Sequence, residues 1–391
     1  MKICILTGKF GMGHLSASLA LKQQIEDSNL NAEIEVIDWL QYVSPRFAEK
    51  YYLFFTLLVN KGSGLYNTRY RFLENRKTDQ KPELSHYFLG CFTKFMEEKK
   101  PDLIISTLPI CSQIVSRYKQ RYDCTLPLVT CVTDITGHSE WISKNTELYL
   151  VGSHTVREKF LMKGVPAEKI HETGIPVRSE FINDICSDKK YENRSNKRLL
   201  IMGGGLGILP ENPQFYENLS HLPDTEITLI TGKNTKLLQQ LSGKYPHIKV
   251  LGFVNNTYDY MKQADAIMTK PGGISTFEAL QAEVPILAIK PFLQQEVYNA
   301  EYIEQSQIGT VIDIHSSKCI EDITCFLKTR QLNLYRKNIR EQKRHLEYGC
   351  IDKLLTDALL QSAYSAKYNY MNAYKLKREV HVKHEKISFN L

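Results

Sequence analysis

Short apolar runs that alternate with helical patterns constrain this chain more than any other feature. Residues 3–8, 34–39, 103–108, 128–133 and 148–152 form one series of strand candidates, and residues 199–203, 227–231, 249–253, 266–269, 286–289 and 310–314 form a second. Runs that are apolar throughout, rather than at every second residue, suit parallel strands covered by helices on both faces. A chain of 391 residues is too long for one ordinary core. Residues 184–197, polar and charged, separate the two series and mark a linker. The expected fold is α/β, with two doubly wound domains facing each other across a cleft and ligands held at the carboxyl ends of the strands. The boundaries read as 1–183, the linker 184–197, a second domain 198–345, and C-terminal helices with a basic tail over 346–391, the tail proper starting near Lys367.

The turns after these strands carry the chemistry. Thr269-Lys270-Pro271-Gly272-Gly273-Ile274-Ser275 leads into a helix whose expected opening residue is Ser275 or Thr276. Two glycines admit a close backbone approach, and a helix N-terminus offers unpaired N–H groups and a positive dipole end. Such a turn suits a diphosphate, with Glu278 free to accept from sugar hydroxyls; a plain strand–turn–helix accounts for it equally well. Gly203, Gly204 and Gly205 form a second Gly-rich loop, which lacks the Gly-Lys-Ser/Thr ending of an ATP-hydrolysing loop. Asn234 follows another strand, and the backbone at Phe253 and Val254 is placed to read a nucleobase edge. Gln295, Glu296 and Asn299 supply amide and carboxylate groups of the kind that orient sugar hydroxyls.

In the first half, Gly11-Met12-Gly13-His14 opens a helix. His14 is either a structural histidine or a general base. A dinucleotide fingerprint would need a glycine where Ser16 stands, although Asp38 supplies the acidic residue after the second strand. Asp134, with His138 and Trp141, follows a strand end; it either contacts a ligand or caps a helix while Trp141 packs in the core. Residues 42–77 break the rhythm, with Tyr51, Phe54, Phe55 and Leu58 beside Arg69 and Arg71. That mixture suits the interface of an anionic bilayer, or else a core helix and a basic loop. The net charge of +7 permits an anionic surface, and no nucleic-acid module is recognisable. Nine scattered cysteines without a Cys-x-x-Cys pair suggest reduced thiols in a cytoplasm. With a strand candidate starting at residue 3, no targeting segment is expected ahead of the fold.

Taken in order, these motifs resemble those of family 28 glycosyltransferases of GT-B fold, which have two Rossmann-like domains. The chain is most similar to bacterial processive diacylglycerol glucosyltransferases and plant-type monogalactosyldiacylglycerol synthases. The resemblance rests on Gly11–His14, Thr133-Asp134 with His138 and Trp141, residues 174–178, 202–205, 232–234 and 252–254, residues 269–275 with Glu278, and Gln295-Glu296 with Asn299. It implies that Gly203–Gly205 and Gly272–Ser275 cradle the diphosphate of a UDP-hexose, with Gly13 facing it, while Phe253 and Val254 hold uracil. Glu278 would take the ribose hydroxyls, and Gln295 with Glu296 the hexose. His14, helped by Asp134, would be the base on the hydroxyl of a lipid acceptor, with residues 42–77 docking on the inner face of the cell membrane. One departure concerns the donor: the family's Pro-Gly-Gln-Glu is here Leu293-Gln294-Gln295-Glu296. No Asp-x-Asp occurs, so neither a cofactor nor an obligatory metal is expected. A soluble, polyprenyl-linked or natural-product acceptor, or a catalytically silent nucleotide-sugar sensor, are the competing readings.

Overall fold

The structure, a computed structural model, describes residues 1–10, 12–61, 63–74, 79, 85–183, 196–204, 207 and 209–363. Most of the expected linker, 184–195, lies outside these residues, as do Gly11, Gly205 and the tail beyond 363. The first sheet is built from β1 (Lys2–Thr7), β2 (Glu33–Asp38), β3 (Leu103–Ser106), β4 (Leu128–Cys131), β5 (Leu148–Val151) and β6 (Ile170–Glu172). The second holds β7 (Lys197–Met202), β8 (Thr225–Ile230), β9 (Ile248–Leu251), β10 (Ala266–Thr269), β11 (Ile286–Ile289) and β12 (Gly309–Ile312). Every pairing is parallel, in the orders β2-β1-β3-β4-β5-β6 and β12-β11-β10-β7-β8-β9.

Burial explains why the strands were legible. β3, β4, β5, β10 and β11 are buried at every residue, as strands with helices on both faces must be. β6 is the exception. It runs Ile-His-Glu at a sheet edge with only Ile170 buried, so it leaves no apolar run to read. β7 begins at Lys197, two residues ahead of the expected apolar run.

The strand orders decide where ligands can sit. In the first sheet the direction of winding reverses between β1 and β3, and in the second between β7 and β10. Loops leaving those four strands diverge to opposite faces and open a crevice at each switch point. These loops carry His14, Thr107, Gly203 and Gly272.

Residues 42–77 supply the helices Ala48–Lys61 and Ser63–Glu74 on the first domain. The domains meet through an apolar cluster in which Ile135, Ile175, Val177 and Phe181 pack with Met261, Phe277 and Leu280. After the helix Thr329–Arg344 the chain returns to its starting domain. There the helical residues 351–363 put Ile351, Leu354, Leu355 and Ala358 against Ile3, Ile5, Leu21 and Ile25. Among the described residues, no helix is long and apolar enough to cross a membrane.

Candidate active site

On the first wall, β1 ends at Thr7 and the helix Gly13–Glu26 starts with Gly13, which sets His14 in the β1/β3 crevice. His14 Nδ1 lies 2.9 Å from the Thr107 carbonyl and 2.8 Å from Thr133 Oγ1. A carbonyl only accepts, so in the neutral ring Nδ1 carries the proton and Nε2 keeps its lone pair. Beneath it, Thr107 Oγ1 is 2.8 Å from Ser18 Oγ and donates to Thr7 Oγ1 at 2.9 Å, tying the ends of β1 and β3 to the helix. Burial holds the imidazole below its usual range, against the opposing pull of the Asp134 carboxylate and the Thr107 carbonyl. The ring is therefore neutral at pH 7, as a general base must be.

Asp134 is buried and serves no helix. Its Oδ2 accepts from Trp141 Nε1 at 2.8 Å, and its Oδ1 accepts from the Gln295 amide across the cleft. The cap on the short helix Ser139–Trp141 belongs instead to His138, whose Nδ1 accepts from the Glu140 N–H. That assigns the His138 proton to Nε2, which donates to the Tyr70 carbonyl at 3.1 Å. Trp141 is both a core residue, fully buried, and a partner of Asp134.

The second wall is the turn after β10. The helix begins at Gly273 with Gly272 as its cap, ahead of the expected Ser275 or Thr276. Close approach of the other domain explains the shift. A Cβ on Gly273 would lie 2.8 Å from both the Thr133 carbonyl oxygen and Ile175 Cδ1. Thr276 N–H bonds back to Gly272 O at 2.9 Å, so the N–H groups of Gly273, Ile274 and Ser275 head the helix with no intrahelical acceptor. Lys270 Nζ is 2.6 Å from Glu296 Oε1. Glu278, in the same helix, is half-buried, and burial pushes its carboxyl up to about 7 despite the nearby Arg178 charge.

Other expected ligands divide in two. Gly203 and Gly204 follow β7 as foreseen, with Gly204 at φ +66°, a conformation open to glycine. Phe253 is 61% exposed, and Val254 is partly buried against the second-domain core. Asn234 and Asn299 both bond within the fold, and the buried Asn299 Oδ1 has no hydrogen-bond partner among the described residues. Asn234 Oδ1 caps the helix Thr235–Leu241 through Leu237 N–H at 3.0 Å, and its Nδ2 reaches Gly207 O at 3.3 Å. Asn299 is buried, and its Nδ2 braces the catalytic-side turn by donating to Pro271 O at 2.8 Å.

Around the mouth, Phe10 stands edge-on to Tyr52 and Phe55, each with ring centroids 5.1 Å away, and to Tyr51 at 6.0 Å. Phe47, Tyr51, Leu53 and Phe54 are all exposed, with Tyr51 and Phe54 one helical turn apart on one face. The side chains of Leu58 and Arg69 lie outside the described residues. Arg71 turns to the other domain: its Nε and Nη2 lie 2.9 Å and 2.5 Å from Gln294 Oε1.

Comparison with known proteins follows this geometry. Residues 14–177 match the monogalactosyldiacylglycerol (MGDG) synthase family, and residues 198–347 match the glycosyltransferase family 28 C-terminal domain. The processive diacylglycerol β-glucosyltransferase of Bacillus licheniformis is 30% identical over 386 residues, spanning 92% of this chain and 95% of that protein. The chain belongs to glycosyltransferase family 28. The Bacillus subtilis processive diacylglycerol β-glucosyltransferase is similar at 30% identity, with 87% of this chain and 91% of that protein covered. Among solved structures, Acinetobacter baumannii MurG superposes with a TM-score of 0.60 at 14% identity over 92% of this chain and 99% of its own. The calicheamicin glycosyltransferase CalG4 gives 0.59 at 13% identity, over 93% and 98% of the two chains. These likenesses identify the fold as GT-B. In this glycosyltransferase the sequence reading gave no role to Thr133, Thr107 or Asn67, because a carbonyl or hydroxyl contact between distant segments leaves no local pattern.

Proposed function

We propose that this glycosyltransferase moves a hexose from a UDP-sugar to the hydroxyl of diacylglycerol or a glycosyl-diacylglycerol, inverting the anomeric carbon, while docked on the inner face of the cell membrane. One observation carries the reading. Thr133 joins the two walls, its hydroxyl on His14 Nδ1 at 2.8 Å and its carbonyl against Gly273. Base and diphosphate cradle thus face one another across a single residue.

In this mechanism His14 Nε2 removes the proton of the acceptor hydroxyl as its oxygen bonds to the anomeric carbon. The bond from that carbon to the β-phosphate oxygen breaks, and UDP departs with the electron pair. Asp134 steadies the imidazolium that forms. Charge developing on the diphosphate meets the N–H groups of Gly273, Ile274 and Ser275, the helix dipole, and Lys270. Those groups neutralise the leaving group without a metal bridge. The exposed Phe47, Tyr51, Leu53 and Phe54 support docking on lipid, with the acceptor entering beside Phe10.

The test is transfer by purified protein from UDP-glucose, UDP-galactose and UDP-GlcNAc to diacylglycerol micelles, with products weighed by mass spectrometry. A glycosyl-diacylglycerol from at least one donor is expected. Transfer only to soluble or polyprenyl-linked acceptors, or UDP binding without turnover, overturns the proposal.

A further inference from the structure

The helix Gln294–Gln305 carries the two residues expected to meet the hexose, Gln295 and Glu296, in its first turn. Its N-terminus has no cap of its own. The cap position is Leu293, which has no side-chain acceptor. The other domain provides the cap. Asn67, on the helix Ser63–Glu74, accepts the Gln294 N–H on its Oδ1 at 2.8 Å and donates from Nδ2 to Phe292 O at 3.0 Å. One turn further along that helix, Arg71 grips Gln294 Oε1 with two nitrogens. Asn67 and Arg71 stand four residues apart, on one face of their helix. Gln294 is 7% exposed, so the clasp is packed on the second-domain side, while Arg71 reaches it from the surface.

Glycine at position 294 would offer no amide oxygen to Arg71. The side chain by which this chain departs from its family is therefore the one gripped from the acceptor side. We propose that Asn67 and Arg71, acting through Gln294, are positioning residues that set Gln295 and Glu296 against the donor hexose. The acceptor-side helix thereby tunes affinity for the sugar half of the donor and leaves the UDP half alone. This rests on the UDP-hexose reading above. By linkage, whatever steadies the helix Ser63–Glu74 also tightens UDP-hexose binding, and the reverse.

The experiment is a mutant cycle on the full chain. Arg71→Ala, Gln294→Ala and the pair are compared for KM and kcat with UDP-hexose and for UDP affinity by calorimetry. Each single change should raise KM about five- to tenfold, the size of one lost cap or charge-assisted hydrogen bond. UDP affinity should stay within about twofold, and the pair should be no worse than the worse single change. Asn67→Ala should act alike, with Asn67→Asp restoring only part of the loss, because a carboxylate still accepts the Gln294 N–H but cannot donate to Phe292 O. Multiplying effects of the pair, or equal losses for UDP and UDP-hexose, overturn the clasp. Amide exchange at Gln294 provides a readout independent of turnover. It should be protected in the parent and quickened in Asn67→Ala. A protected amide in a protein without hexosyl transfer would retire the functional reading and leave the clasp standing; unchanged exchange in Asn67→Ala would retire the clasp.

Discussion

At the scale of single residues, two half-buried groups set the pH behaviour. His14 is held below 6.5 by burial, so it stays a competent base down to pH values where an exposed imidazole is already charged. The acid limb of kcat/KM should fall below pH 6.5, and His14→Ala should lower turnover about 10²- to 10⁴-fold while UDP affinity is kept. Near-normal turnover in that variant would remove His14 as the base. Glu278 acts in the opposite direction on stability. Its carboxyl titrates near 4.5 when unfolded and about 7 when folded, so the folded state holds the extra proton and loses stability as pH rises across that window. Glu278→Gln should therefore stabilise the ligand-free protein at pH 8 by about 1–2 kcal/mol in thermal melts. The same change should weaken uridine binding about tenfold, since an amide replaces the charged acceptor for the ribose hydroxyls. A melt unchanged at pH 8 would count against the buried carboxylate. His14, Asp134 and Glu278 stood out in the sequence because they are titratable groups in or just after the turns that leave β1, β4 and β10. Asn234 and Asn299 read the same way and also hold the fold, one as a cap and one on a turn carbonyl, a partnership no local spacing reveals.

Among elements, the strands were readable wherever both faces are covered, and β6 was missed where that condition lapses at a three-residue edge. The start of the helix Gly273–Gln281 shows a different limit. Hydroxyl side chains at Ser275 and Thr276 favour a cap by local rules. The neighbouring domain overrules them, because only a residue without Cβ fits beneath the Thr133 carbonyl. Gly273→Ala should therefore push the two walls apart, since backbone has to move to admit the methyl. A loss of about tenfold or more in kcat/KM is expected, with far-UV circular dichroism unchanged. Full activity in that variant would mean that the close approach of Thr133 is dispensable. The Arg71–Gln294 contact, 223 residues apart in the chain, was invisible to any motif, though the departure at Gln294 was visible as an oddity.

Across the whole molecule, both domains and the cleft between them were foreseen from the two series of apolar runs. How residues 42–77 are used was left open between core and membrane. The structure buries Tyr52 and Tyr70 in the core and exposes Tyr51, Leu53, Phe54 and Phe72, and the proposed membrane contact falls to that exposed side. The purified protein should sediment with phosphatidylglycerol liposomes more than with zwitterionic ones, and Leu53→Asp with Phe54→Asp should abolish this while leaving UDP affinity within about twofold. Equal sedimentation of the double variant would move the docking surface elsewhere. Turnover should also survive EDTA, because the N–H groups that head the helix at Gly273 supply the positive potential that a metal otherwise brings. Loss of activity in EDTA with recovery on adding Mg²⁺ or Mn²⁺ would overturn that point.

The return of residues 351–363 to the first sheet has a mechanical corollary. The polypeptide leaves the first body between 183 and 197 and comes back after the helix Thr329–Arg344, where the Glu347 N–H bonds to Glu172 O at 2.8 Å. The second body is thus joined to the first by two crossings of the chain. They tether the second body at both of its ends, so the contact of Gly273 with Thr133 is held by the chain as well as by the shared apolar cluster. Nicking the chain between 183 and 197 should leave the halves bound through their shared apolar cluster and the one remaining crossing, with the fit of Gly273 beneath Thr133 loosened.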